Sequence, residues 1–437
     1  MDIVSETMTP EQVIEKRKKY LIPALTHYYQ KPPLFVKGDM QYLWDSTGKK
    51  YLDMFGGIVT IASGHSHPTI NKAVKSQIGK LNHTSTLYLT EPMVQLAERL
   101  AEITPGKLEQ SFICNSGTEA NEGAALTAKL YTKSHEFIAL RHSFHGRSIM
   151  GMSMTGQSNW RIGNPYVFGV QFVASAYCYH CPFLKDYPGC SLECAKDLEN
   201  VIRTSTSGKP AAFIAEPIQG NGGVVTPPKE YFPLVKKILE KYGALLISDE
   251  VQTGFGRTGN KWFGIEQWGV EPDIITMAKS FGNGWPIGAF ITTPEIAKSF
   301  TPGTHFSTFG GNPISSTAAL ANIDIIKQDN LSSNAHIVGG YFKDKLMELQ
   351  EKHELIGDVR GMGLMLGIEL VSDRKAKTPA TLKMAQVMEL CKDSGVLIGK
   401  GGLDGNVIRF KPPLCVTRDD VDQTIKILDI ALTVVEK

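Results

Sequence analysis

From about residue 90 onward, helix-patterned stretches alternate with short apolar runs: FIAL (137–140), AAFIA (211–215), ALLIS (244–248), DIITMA (273–278) and GAFIT (288–292). Such runs are too short for helices and lack the polar alternation of half-exposed strands. They predict strands buried on both faces, hence a mainly parallel sheet covered by helices: an α/β fold. The last hundred residues read differently. There, helix patterns flank two strand-like runs, LMLGIEL and NVIRF. Thr378-Pro379 is expected to start one helix and Gly395 to end it; a final helix after Thr417 carries Val421, Ile425, Leu428 and Leu432 on one stripe. At the other end, Thr9, Pro10 and Gln12 form a helix-start signal, followed by a strand-like meander after Pro32-Pro33. The expected organisation is a large domain over 61–330. A smaller α+β unit combines an N-terminal segment, 1–60, with a C-terminal part, 331–437.

A chain of 437 residues can bury a core of that size. Its 46 lysines and arginines against 44 acidic residues leave no basic field, so no nucleic-acid partner is expected. Nor does any window hold the roughly 18 apolar residues of a membrane span. The opening MDIVSETMTPEQ is acidic and lacks an apolar core, which argues for a cytoplasmic protein, with a trimmed organellar precursor as the alternative.

Three of the apolar runs lead into a charged residue: Glu216, Asp249 and Lys279. Charge at the end of a buried strand is paired or functional. Ligands of open α/β sheets bind beyond the carboxyl ends of the strands, so the three can face one site. A lysine there can form a Schiff base with an aldehyde, and an aspartate can hold the protonated ring nitrogen of pyridoxal phosphate. The same spacing also fits a plain buried ion pair between Asp249 and Lys279. Separately, Ser116, Gly117 and Thr118 precede a strong helix pattern, and a helix N-terminus is an anion site; read alone, Ser116 or Thr118 is an ordinary cap.

NSGTEANE, FHGRS, EPIQGNGG, SDEVQTGFGRTG, MAKSFGNGWPIGA and STFGGNP together resemble the class III (ornithine/GABA-type) aminotransferases, in the family's order and over nearly the whole chain. KPPLF, HTST (83–86), the cysteine-rich insert and IGDVRGMGLM are similar to its alanine–glyoxylate aminotransferase 2 branch. The resemblance implies a fold type I pyridoxal-phosphate enzyme with a seven-stranded large-domain sheet. It also implies roles. Lys279 would bind the cofactor's aldehyde and move the substrate proton, and Asp249 would pair with the ring nitrogen. Gln252 would contact the ring hydroxyl, Phe144 and Val251 would clamp the ring faces, and His145 would support them. Ser116, Gly117 and Thr118 would hold the phosphate, with Thr308 reaching it from a second subunit of a homodimer. Arg409 would bind the substrate carboxylate, and Glu216 would pair with that arginine and release it. Many relatives have tyrosine where Phe144 stands; the ring stack survives that change and a hydroxyl contact does not.

The implied reaction moves an amino group from alanine or an omega-amino acid (β-alanine, 3-aminoisobutyrate, 4-aminobutyrate) to glyoxylate or pyruvate. The alternatives are an ornithine or 4-aminobutyrate aminotransferase using 2-oxoglutarate, and non-transaminating chemistry on the same fold. A nicotinamide enzyme fits poorly, because the Gly-rich stretches do not open helices. Cys178-x2-Cys181 and Cys190-x3-Cys194, eight residues apart, resemble a structural zinc knuckle, with four reduced loop thiols as the plain alternative. Cys114, Cys391 and Cys415 read as packing residues.

Overall fold

The computed structural model describes residues 8–163, 167 and 169–437. Part of the opening segment read for an export signal, residues 1–7, therefore lies outside the described residues.

The apolar runs form the centre of one seven-stranded sheet. Its strands are β1 (Gln110–Cys114), β2 (Phe137–Leu140), β3 (Val170–Val173), β4 (Ala212–Ala215), β5 (Leu245–Asp249), β6 (Ile274–Met277) and β7 (Gly288–Thr292), in spatial order β1-β7-β6-β5-β4-β2-β3. Pairing is parallel from β6 through β5, β4 and β2 to β3, while β7 runs antiparallel to both β6 and β1. Every residue of β2, β4, β5, β6 and β7 is buried, as uniformly apolar runs require. The two strands that the apolar-run reading did not single out, QSFIC and VQFV, are the sheet's edges. Both are partly exposed and carry polar residues accordingly.

A four-stranded antiparallel path follows near the C-terminus: β8 (Ile356–Met362), β9 (Met365–Asp373), β11 (Val407–Phe410) and β10 (Gly399–Gly401), in that spatial order. The hairpin joining β8 to β9 turns at Gly363. Its φ is +55°, and a Cβ there would lie 2.5 Å from the Thr258 carbonyl carbon. The N-terminal strands Phe35–Asp39, Tyr42–Asp45 and Lys50–Asp53 form a separate small sheet, joined in parallel by Val396–Leu397. Early and late parts of the chain are thus bonded to each other.

Thr9 caps the first helix (Pro10–Tyr20) through a capping box, and Thr417 does the same for the last (Arg418–Glu436), whose Val421, Leu428 and Leu432 are buried. One boundary differs from expectation. Thr378-Pro379 pairs with β9 as a short strand and the helix begins at Thr381, because Val371 and Asp373 extend the ladder that far. Among the described residues no helix is long and apolar enough to cross a membrane.

Candidate active site

Parallel strands bring their carboxyl ends to one edge of a sheet, and here four of them deliver side chains to one cavity of about 360 Å³. Glu216 comes from β4, Asp249 from β5, Lys279 from β6, and Phe144 with His145 from the loop after β2. Ser116, Gly117, Thr118, Val251 and Gln252, also expected here, stand on its walls. Thr60 and Trp285 line it as well.

Asp249 is 2% exposed and held on both oxygens. Oδ2 accepts from His145 Nδ1 at 2.7 Å and from Asn121 Nδ2 at 2.8 Å, while Oδ1 accepts from Val251 N at 3.1 Å. Three donors of this kind fix the orientation of the carboxyl group. Asn121 has no place in the sequence reading. It lies on helix α1 (Gly117–Thr132), is buried, and also donates to the His145 carbonyl while accepting from Thr276 Oγ1. A buried amide within NSGTEANE was its only trace in the sequence.

Lys279 sits at the first position after the extended Ala278 with φ at +48°, a left-handed conformation that costs a non-glycine residue about 1 kcal/mol or more. The turn is anchored where Ser280 Oγ donates to the Val59 carbonyl and Asn322 Nδ2 to the Ser280 carbonyl. Burial pulls the Lys279 amine below the ordinary lysine range; Arg409 acts in the same sense, and Asp249 and Glu216 oppose it. That is the state a nucleophilic amine needs. The plain ion-pair alternative is not formed: no Lys279–Asp249 bridge exists among the described residues, and the Asp249 oxygens are taken by other partners.

Ser116 caps α1 by accepting from Glu119 N at 3.3 Å, leaving the first N–H groups of that helix for a ligand. Gly117 lets the helix approach Val251, since a Cβ would stand 3.0 Å from Val251 Cγ2. The Thr118 hydroxyl is shared with Ser148 Oγ at 2.7 Å. An anion-binding end, the Asp249 carboxyl, a lysine amine of lowered pKa and the apolar Phe144 and Val251 on one cavity's walls together fit pyridoxal phosphate.

Two expected residues stand outside this cavity. Arg409, 2% exposed on β11, donates through Nη1 to the Gly220 carbonyl at 3.0 Å and to Asn221 Oδ1 at 3.3 Å, and among the described residues its buried Nε meets no acceptor. Burial lowers its pKa, with Tyr28 and Glu216 working against that. Among the described residues it makes no ion pair with Glu216, whose Oε1 accepts from Phe144 N and Oε2 from Gly220 N. Thr308 is exposed and lines a different, larger cavity with Phe306 and Phe309.

The loop that carries Gly220 is tied down a second time. Arg360 Nε donates to the Gly223 carbonyl at 2.8 Å, and its Nη2 lies 2.8 Å from Glu369 Oε2. Tyr177 and His180, from the cysteine-rich insert, bond the same Glu369. The insert is thereby fastened to β8 and β9.

Cys178, Cys181, Cys190 and Cys194 do line one small cavity. However, among the described residues no group of three or more His, Cys, Asp or Glu side chains could hold a metal ion. Burial pushes the Cys178 thiol up to about 11 and Cys194 to about 12. The zinc expectation finds no support here. Cys114 and Cys391 are buried as packing residues and Cys415 is partly so.

The sequence matches the Aminotransferase class-III family over residues 26–432. A relative from Arabidopsis thaliana, alanine–glyoxylate aminotransferase 2 homolog 2, mitochondrial, is 47% identical over 96% of this chain and 87% of its own length. A leucine/methionine racemase from Thermococcus litoralis is 37% identical over 98% of this chain and 97% of its own. A crystal structure of a Bacillus anthracis aminotransferase superposes with a TM-score of 0.91 at 33% identity, covering 98% of this chain and 100% of that one. The matched stretch takes in both the seven-stranded sheet and the cavity at its edge, and the chain belongs to the pyridoxal-phosphate-dependent class-III aminotransferases.

Proposed function

We propose that the chain transfers an amino group from alanine or an omega-amino acid (β-alanine, 3-aminoisobutyrate or 4-aminobutyrate) to glyoxylate or pyruvate, in a ping-pong cycle. The observation that carries this reading is Arg409: a buried guanidinium with no carboxylate in ion-pair contact among the described residues, so that its charge suits a substrate carboxylate. The alanine–glyoxylate relative supports the choice of substrates.

When bound, pyridoxal phosphate supplies an electron sink for the substrate's Cα electrons. The protein's part is to hold and to move protons. Asp249, fixed by His145 and Asn121, holds a proton on the ring nitrogen. Lys279, as a free amine, takes the Cα proton and returns it on the far side of the transfer. Phe144 and Val251 would pack on the ring faces, and Ser116, Gly117 and Thr118 would hold the phosphate. Glu216 keeps the Gly220 backbone in place beside Arg409.

A second copy of the chain completes the site in this reading. Thr308 is exposed among Phe306 and Phe309, which are 64% and 62% exposed, beside a cavity of about 810 Å³. Such apolar exposure suits a subunit interface. Sedimentation tests it, and a monomer under assay conditions contradicts it.

The decisive experiment is a panel of amino donors against glyoxylate, pyruvate and 2-oxoglutarate. Best turnover with 2-oxoglutarate and ornithine or 4-aminobutyrate would replace the proposed pair. Racemisation is the second reading, carried by the Thermococcus litoralis relative. Loss of optical rotation from one amino acid with no 2-oxo acid present would establish it. About one zinc per chain in protein purified without added metal would restore the knuckle on the four thiols.

A further inference from the structure

Lys411 follows β11 and is wholly buried. Its Nζ donates to Gln252 Oε1 at 2.6 Å, and among the described residues no carboxylate stands within ion-pair distance of it. Burial carries this amine far below the ordinary lysine range; Arg409, Lys279 and Arg257 add to the effect and only Glu216 opposes it. Placing a lysine there is expensive compared with an apolar residue of similar length. No motif in the sequence assigns it a task.

Its one side-chain partner suggests what that task is. A carboxamide has an acceptor end and a donor end of nearly the same shape, and nothing in its own geometry chooses between them. Gln252 lines the Lys279 cavity and packs against Gly220, where a Cβ would fall 2.3 Å from Oε1. With Oε1 taken by Lys411, Nε2 remains as the donor for the cavity. Turned over, the same side chain would present an acceptor to the oxygen of a bound pyridoxal ring.

We propose that Lys411 is a positioning residue that locks the Gln252 carboxamide with its Nε2 donor toward the cofactor site. The inference rests on the reading of Gln252 as the ring-hydroxyl contact. Lys411 does not touch cofactor or substrate in it. Its amine acts only through the amide, by donating to Gln252 Oε1.

The test is a double-mutant cycle on pyridoxal phosphate affinity, using Lys411→Met, Gln252→Leu and the double variant. Methionine keeps the length of the chain and removes the donor. Lys411→Met is expected to weaken cofactor binding about tenfold, the worth of one hydrogen bond, but by less than about twofold in the Gln252→Leu background. The visible absorbance maximum of the loaded protein is expected to move in Lys411→Met and to move no further in the double variant. A merely structural lysine would not produce that signature. Lys411→Gln retains a donor, is expected to regain part of the affinity, and serves as the variant if methionine does not fold. Equal losses in both backgrounds overturn the proposal. So does a silent Lys411→Met beside an impaired Gln252→Leu, which leaves the ring contact standing. A silent Gln252→Leu overturns the ring contact and the lock with it.

Discussion

Glu216 and Arg409 grip opposite ends of one residue: Glu216 Oε2 accepts from the Gly220 N–H at 2.8 Å, and Arg409 Nη1 donates to the Gly220 carbonyl at 3.0 Å. Among the described residues the acid and the cation are coupled through Gly220 and not through a direct bridge. Among the described residues no carboxylate stands in ion-pair contact with the arginine, whose charge Tyr28 supports.

Removing that arginine should be selective. Arg409→Ala is expected to lower kcat/KM for substrates with an α-carboxylate by roughly 10- to 150-fold, the range of a lost charged hydrogen bond of about 1.5–3 kcal/mol. Amine donors lacking that group should fall much less. Steady-state kinetics on both substrate types decides the matter, and an equal loss for both would remove the carboxylate role.

Asp249→Ala takes away the acceptor shared by His145, Asn121 and Val251. Turnover is expected to drop by about a hundred- to a thousandfold, the scale of removing one preorganised electrostatic partner, with weaker cofactor retention on gel filtration. Turnover near that of the unaltered protein would refute Asp249 as the ring-nitrogen partner.

The lowered pKa of Lys279 predicts a pH profile. Protonated lysine cannot attack an aldehyde, so cofactor loading of the apo protein is slow below the amine's pKa and levels off above it. Burial places that pKa below the ordinary 10.5, so the rise should be complete at lower pH than for a solvent-exposed lysine. Stopped-flow loading rates check this. A rise confined to the ordinary lysine range would contradict it.

Arg360 and Glu369 tie the cysteine-rich insert to the Gly220–Gly223 loop. Arg360→Met leaves Glu369 buried without its cation and is expected to cost about 3–5 kcal/mol in denaturant unfolding. The Glu369 carboxyl is held down to about 2 from 4.5, despite burial, by His180, Arg360 and Tyr177. An acid whose folded pKa is depressed stabilises the fold above its unfolded value and loses that contribution as pH falls. The loss should lie between pH 4.5 and about 2 and be absent in Glu369→Gln. Identical acid unfolding of the two proteins would mean the network contributes nothing.

The central sheet was readable because burial on both faces leaves no polar alternation. β2, β4, β5, β6 and β7 therefore stand out as apolar runs, with Glu216, Asp249 and Lys279 beside three of them. The edges β1 and β3 lack that signature because water reaches them. Asn121 and Lys411 were illegible for another reason. Each matters through a partner more than a hundred residues away, Asp249 and Gln252 respectively, and no local pattern records such a contact. Thr308 came from resemblance alone, and within one chain it stands away from the Lys279 cavity. The four thiols show the opposite failure. Their spacing looks like a ligand set, yet sharing a cavity wall did not bring them into a metal-holding arrangement.

One lysine, Lys279, binds the cofactor in the proposed reaction. Borohydride reduction of the loaded protein, followed by peptide mass mapping, should find the pyridoxyl mass on Lys279 alone and on no lysine in Lys279→Ala. The label on Lys411, or on any other lysine of the unaltered protein, would contradict the account.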